Sequence, residues 1–304
     1  MHRRQVVDYV ALGFIWGLSF VLVLNVVRAF GWVGAVTFRA LIACALLVLL
    51  AAVMHRKLDF AGSWVPLAIV GATTVAGQLL GLSFATPRIG TAMAAIFVGS
   101  IPLFSMVIGH AWGIETISAA GRVGLILGFG GIVLLVGFPS VPITPEFLLG
   151  CAASVFGAVS AAFGSNYARR RLVAVGSWEQ TIGAFLFGGL VALPLLVIVP
   201  VPSEPALADY ASLVLLAGAC SALAYVLYFR LVAEVGATIA VTVEFLVTVI
   251  AVAFGAVLLG ERLSPVQLAG GAVIVGGCAL VLDLMPWRRR PAEEASAREG
   301  GPGA

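Results

Sequence analysis

An all-α membrane protein of about ten transmembrane helices, arranged as two inverted five-helix repeats, is the fold class this sequence predicts. Three observations predict it: a large excess of apolar over charged residues, ten apolar runs of spanning length, and an internal repeat with a period of 146 residues. Hydrophobic residues fill 62% of the 304 positions and charged residues only 10%. A soluble domain carries about a quarter charged residues, so this chain lacks the charge for a wetted skin and must use lipid as most of its solvent. The 36 glycines agree, because glycine lets membrane helices approach closely.

Runs long enough to cross hydrocarbon, roughly 20 residues, lie near 9–27, 33–54, 64–84, 90–111 and 121–138. They continue near 147–168, 178–199, 210–230, 237–259 and 264–282. Proline or charge marks the breaks: Asp59 to Pro66, Pro87 with Arg88, Pro139 to Pro145, and Pro200 to Asp209. His2, Arg3 and Arg4 before the first run imitate a signal peptide, but the run is too long for one and further spans follow, so an uncleaved first helix is expected. These breaks predict a first five-helix repeat over 1–140, a second over 141–285, and a disordered cytoplasmic tail over 286–304 rich in Ala, Glu, Gly and Pro.

Orientation follows from the basic residues. With the N-terminus in the cytoplasm, 13 of the 17 Lys and Arg fall on the inner side, among them Arg56, Lys57, Arg122 and the run Arg169 to Arg171. Only Arg28, Arg88 and Arg262 fall outside, and Arg39 lies within a span. Short cytoplasmic loops retain such charge, so both termini are expected inside. The repeat lays Gly90 on Gly236, Glu115 on Glu261, Ser118 on Ser264, Gly124 on Gly270, and Gly130 and Gly131 on Gly276 and Gly277. Five spans is an odd number, so the second copy enters the membrane upside down, the architecture of many secondary transporters.

The stretch Gly260-Glu261-Arg262-Leu263-Ser264-Pro265, with the glycine-rich run after it, resembles the signature of EamA-type carriers of the drug/metabolite transporter superfamily. So do Trp16-Gly17, Arg39, and Pro102 thirteen residues before Glu115. The resemblance covers about residues 9–283 and is greatest to YddG-type exporters of aromatic and other amino acids. It implies two inverted repeats, a central cavity and alternating access. One departure is that Thr248 stands where a second-half proline is expected opposite Pro102, and Glu244 lies one turn too early to be the glutamate that often precedes it.

No enzyme constellation survives inspection. Gly81-Leu82-Ser83-Phe84-Ala85 misses a nucleophile elbow at its last position and sits in a helical run. His2 and His55 flank spans, and only His110 approaches one. No phosphate loop, zinc spacing or dinucleotide fingerprint occurs, so neither cofactor nor metal is expected, and the scattered charge gives no support for nucleic acid. Cys44, Cys151, Cys220 and Cys278 each fall within an apolar run and read as small packing residues.

Polar residues inside the spans are the better leads, since lipid makes them costly. Glu244 could bind a solute amine or carry a proton, or be a protonated packing residue. Arg39 could meet a solute carboxylate, snorkel, or tie down a neighbouring carbonyl. Gln78 can both donate and accept, which suits a zwitterion as well as helix-to-helix bonding. The resemblance places Trp16, Phe97, Tyr225 and Phe229 on helices around the cavity, where aromatic area would hold an apolar or aromatic solute. Asn25 and Asn166 read as helix-end caps, and Glu115 and Glu261 as residues that fix helix ends.

The expected partners are therefore a small solute and the lipid bilayer of the inner membrane. The loops carry no partner domain, and a monomer is the working expectation. One basic residue within the spans is too few for a phosphate ester, and no ring of like charge marks an ion filter. Export of aromatic or other neutral amino acids follows from the resemblance. A carrier of another metabolite or drug, and a scaffold or receptor that transports nothing, remain as alternatives.

Overall fold

The computed structural model describes residues 3–113, 116–137, 142–202, 204–235 and 243–281, with the backbone alone at 229–230 and 232–235. Every regular element among these residues is a helix. α1 spans Arg3–Val53, α2 Trp64–Ile89, α3 Thr91–Ala111, α4 Ala119–Gly137, α5 Pro145–Arg171 and α6 Ser177–Val197. α7 covers 207–235, α8 Val243–Leu259 and α9 Pro265–Val281. Seven of these helices are long and apolar enough to cross a membrane, while α8 and α9 are shorter apolar helices.

A straight α1 of 51 residues would be about 76 Å long, more than twice the hydrocarbon thickness. It is not straight. Gly31 sits at φ 72°, ψ 163°, a conformation that a side chain would strain. The indole Nε1 of Trp16 donates to the carbonyl of Cys220 at 3.1 Å, and Nε of Arg39 donates to Ser221 Oγ at 2.8 Å. Two residues that a straight helix would hold about 35 Å apart thus reach adjacent positions of α7. The Phe30 and Phe38 rings, 5.9 Å apart, complete the argument. Residues 3–30 and 32–53 are two arms of a hairpin, in keeping with the separate runs expected at 9–27 and 33–54.

The other breaks are equally local. α2 runs through Pro87 to Ile89 and stops at Gly90, whose φ of +85° a proline cannot adopt, so the break falls just past the expected Pro87–Arg88 boundary. Ser264 and Gln267 form a reciprocal cap on α9: Gln267 N donates to Ser264 Oγ at 3.1 Å and Ser264 N to Gln267 Oε1 at 2.9 Å. Ser118, the repeat equivalent of Ser264, caps α4 by accepting from Gly121 N at 3.0 Å. Thr144 caps α5, with Pro145 in the first turn.

Glycine sets the tightest packing. A Cβ on Gly124 would lie 2.5 Å from the Gly277 carbonyl, and one on Gly277 would lie 2.6 Å from the Gly124 carbonyl. Gly131 and Gly270 repeat this reciprocal approach one heptad along. α4 and α9 therefore touch backbone to backbone, and a contact of 124 with 277 beside one of 131 with 270 requires them to run antiparallel. α2 lies between α5 and α6 in the same manner, through Gly81 against Ala153 and Gly157, and Gly71 against Ala184 and Gly188.

Both α2 and α7 contain a stretch of wider π turn, over Gly71–Gly77 and Gly218–Leu223. The two lie 147 residues apart, one position off the sequence repeat. The connecting segments meet in two groups. Gly31 touches Pro202, Arg88 pairs with Glu146 at 2.7 Å, and Glu261 reaches Thr91. At the opposite ends of those helices, Arg56 lies over the Trp178 ring at 5.0 Å and Asp59 N donates to Glu179 Oε1 at 3.4 Å.

Candidate solute-binding site

Three of the candidates, Trp16, Arg39 and Tyr225, converge on α7. Its π stretch leaves carbonyls without ordinary helical partners, and side chains from both arms of α1 answer them. Trp16 satisfies Cys220 O, while Ser221 Oγ accepts from Arg39 and donates to Leu216 O at 3.2 Å. Arg39 is 8% exposed, and this contact with Ser221 is its one hydrogen bond among the described residues. No carboxylate of a described residue lies within ion-pair distance of it. The terminal nitrogens of a buried guanidinium are thus left to meet something else.

Around this cation stands an aromatic wall. Trp16 meets Tyr225 edge-on at 5.6 Å between centroids and Tyr228 at 5.5 Å, and Phe185 of α6 meets Tyr225 at 5.2 Å. Tyr225 and Tyr228 share a face of α7 because three residues is close to one helical turn. The Arg39 charge reaches Tyr225, and the Glu244 charge, from the first turn of α8, reaches both phenols. Glu244 is half-buried, and its carboxylate makes no hydrogen bond among the described residues. Trp16, Arg39 and Tyr225, scattered over the sequence, are brought to one place, and Glu244 is near enough for its charge to act on the same tyrosine.

Gln78 and Phe97 fall elsewhere, together. They line a small cavity between α2, α3 and α5 with Leu82, Ala94, Val98 and Ser154. Its empty space is about 200 Å³ counting the open mouth, and the enclosed part admits little more than one water-sized group. Trp16, Tyr228, Leu82, Phe97 and Val98 belong to one apolar cluster, which joins this cavity to the aromatic wall. The side chain of Phe229 lies outside the described residues, as do residues 236–242, Glu115 and the tail.

Three polar residues take up other positions. Glu261 caps α3, accepting from Thr91 N at 2.7 Å, Ala92 N at 2.8 Å and Thr91 Oγ1 at 2.9 Å. A helix end is fixed as expected, but it belongs to α3 rather than to α9, beside which Glu261 lies in sequence. Asn166 is no cap: wholly buried within α5, it donates through Nδ2 to Ser105 O at 3.1 Å and Ser105 Oγ at 2.9 Å, binding α5 to α3. Glu179, in the first turn of α6, is 5% exposed beneath the 54–63 connection.

Ser154, Ser221, Tyr228 and Phe185 were not legible as site residues. Tyr228 alone carried a signal, its three-residue spacing from Tyr225. The serines stand in apolar runs that also hold Ser160 and Ser165 in one case and Ser212 in the other, with nothing in the pattern to tell them apart.

A bundle of apolar helices of spanning length, with a buried cation and aromatic rings inside it, fits a multi-pass membrane protein. The sequence profile of the EamA-like transporter family matches the chain twice, over residues 9–137 and 148–283. The chain belongs to that family. It is 27% identical to Protein PecM of Dickeya dadantii (strain 3937) over 287 residues, 91% of each chain. It is 29% identical to the uncharacterized inner membrane transporter YedA of Escherichia coli (strain K12) over 196 residues, 64% of this chain and 62% of that one. A crystal structure of another protein superposes with a TM-score of 0.67 over 93% of this chain and 99% of that one, at 17% identity, a likeness of fold.

Proposed function

We propose that this transporter exports neutral amino acids, aromatic ones among them, across the inner membrane by alternating access. The observation that carries the reading is the buried Arg39, with its terminal nitrogens unbonded among the described residues, and the acid Glu244, whose charge acts on the same tyrosine, Tyr225. A zwitterion meets both needs at once. Its carboxylate neutralises the guanidinium and its ammonium answers the acid, which removes the cost of holding either charge alone in lipid. The aromatic wall would supply apolar area to the side chain.

The two arms of α1 raise the count of helical segments to ten, which supports ten crossings in two inverted repeats. The twofold match of the family, the antiparallel α4–α9 contact and the paired π stretches support the same reading. Inner-membrane location is supported by the likeness to YedA, and cytoplasmic termini by the distribution of basic residues. A proteoliposome assay with labelled neutral amino acids, with and without a pH gradient, tests the function. Saturable flux of amino acids is the expected result, and flux of none of them would sink the proposal.

A further inference from the structure

The cavity between α2, α3 and α5 contains two polar side chains that make no hydrogen bond among the described residues. Ser154 is 5% exposed and its Oγ has no protein hydrogen-bond partner among the described residues. The Gln78 side chain makes no hydrogen bond among them either. Both face the same space, and the rest of its lining is apolar. We propose that Ser154 and Gln78 form a specificity subsite for an uncharged hydrogen-bonding tip on the cargo, a hydroxyl or a carboxamide. This inference rests on the zwitterion reading and narrows it.

A charged tip would be stripped of water with no counter-charge in the lining, which disfavours it strongly. A wholly apolar tip would leave the serine hydroxyl and the glutamine amide unbonded, each of them costly in an apolar setting. An uncharged tip that both donates and accepts satisfies the pair, because Gln78 offers either role and Ser154 can rotate its proton to suit. Size agrees: the enclosed part takes about one water-sized group, so a hydroxyl fits, as does one polar atom of an amide whose remainder stays in the open mouth, while an aromatic ring does not. Position agrees as well. Phe97, Val98 and Leu82 of the lining belong to the apolar cluster that also holds Trp16 and Tyr228, so the cavity and the aromatic wall share one set of packed side chains, past which the proposed cargo would extend.

The test uses near-isosteric pairs, threonine with valine and asparagine with leucine, in flux assays on the full chain in proteoliposomes. Melting temperatures of the purified protein are measured beside them. Wild type should prefer threonine and asparagine, and Ser154→Ala and Gln78→Leu should each reduce these ratios by about tenfold. Ser154→Ala should melt no lower than wild type, since it removes an unbonded buried hydroxyl. Unchanged ratios, with Ser154→Ala melting lower, would mean that the serine holds a structural water only, and would overturn the subsite while leaving amino acid transport intact. If wild type moves no amino acid, the zwitterion reading fails, and propionamide with propionate decides the subsite by thermal shift. Stabilisation by propionamide alone, lost in both variants, upholds a neutral-tip subsite for another cargo. Its absence overturns that as well.

Discussion

A guanidinium moved into an apolar bundle loses hydration worth several kcal/mol, and a single serine hydroxyl cannot replace it. Arg39 therefore holds unspent donor capacity, and its planar fork fits a carboxylate in two parallel bonds. Arg39→Lys keeps the charge but loses the fork. It should lower the apparent affinity for amino acids by about tenfold, measured as the concentration dependence of flux. Glu244 is argued separately, by its proton. An acid that holds a proton when the site is empty and yields it to solution when an ammonium arrives would link solute efflux to proton entry. Glu244→Gln keeps the size and removes the ionisation. It should lose gradient-driven flux and the pH dependence of exchange while remaining folded; a wild-type pH profile would make Glu244 structural. Trp16 has two roles that substitution can separate. Trp16→Phe keeps most of the ring area but loses the bond to Cys220 O. If stacking matters, Trp16→Ala should lower the flux of aromatic solutes by roughly two- to tenfold more than Trp16→Phe does, since aromatic contacts contribute about 0.5–1.5 kcal/mol.

Among the helices, the α4–α9 contact has the least slack. Nothing drives apolar helices together in lipid as water would, so close backbone packing must do it. A Cβ on Gly124 or Gly131 would meet a carbonyl oxygen at 2.5 or 2.7 Å, and backbone yields less readily than a side chain. Gly131→Val should lower stability by about 1–3 kcal/mol, read as reduced melting temperature in detergent. Gly130→Val is the control, because nothing lies within 4 Å of its Cβ position, and it should melt near wild type. The π stretches of α2 and α7 matter for a different reason. In α7, hydrogen-bonding capacity diverted from the helix is taken up by Trp16 and by Ser221, which also receives Arg39. A cargo that engages Arg39 therefore pulls on the geometry of α7 itself.

At the scale of the molecule, the connecting segments sort into two groups, and contacts among the described residues keep to their own group. Gly31 meets Pro202 and Arg88 meets Glu146 at one end, while Asp59 meets Glu179 and Arg56 meets Trp178 at the other. Such sorting is what alternating crossings require. It gives a topology test, since the four native cysteines are buried and leave a quiet background for labelling. Cysteine placed at exposed Glu204 should react with an impermeant reagent applied outside intact cells, and cysteine at exposed Arg170 should not. The reverse pattern would overturn the proposed orientation.

The sequence by itself determined the solvent and located the apolar helical segments. Apolar length marks a crossing wherever one occurs, and the Gly31 hairpin falls between two runs that were separable by eye. Gly124, Gly131, Gly270 and Gly277 were legible as members of the repeat, because that signal is periodic, but not as partners across the α4–α9 seam. Only the tertiary structure decided that Trp16 and Arg39 meet on the α7 π stretch, that Glu261 caps α3, and that Ser154 and Gln78 share a cavity. The reason is rotational. Each residue turns a helix by about 100°, and in a soluble helix the polar face would reveal which side points inward. These helices are apolar all round, so the sequence carries the crossings but not the angle at which each helix presents its few polar side chains to the others.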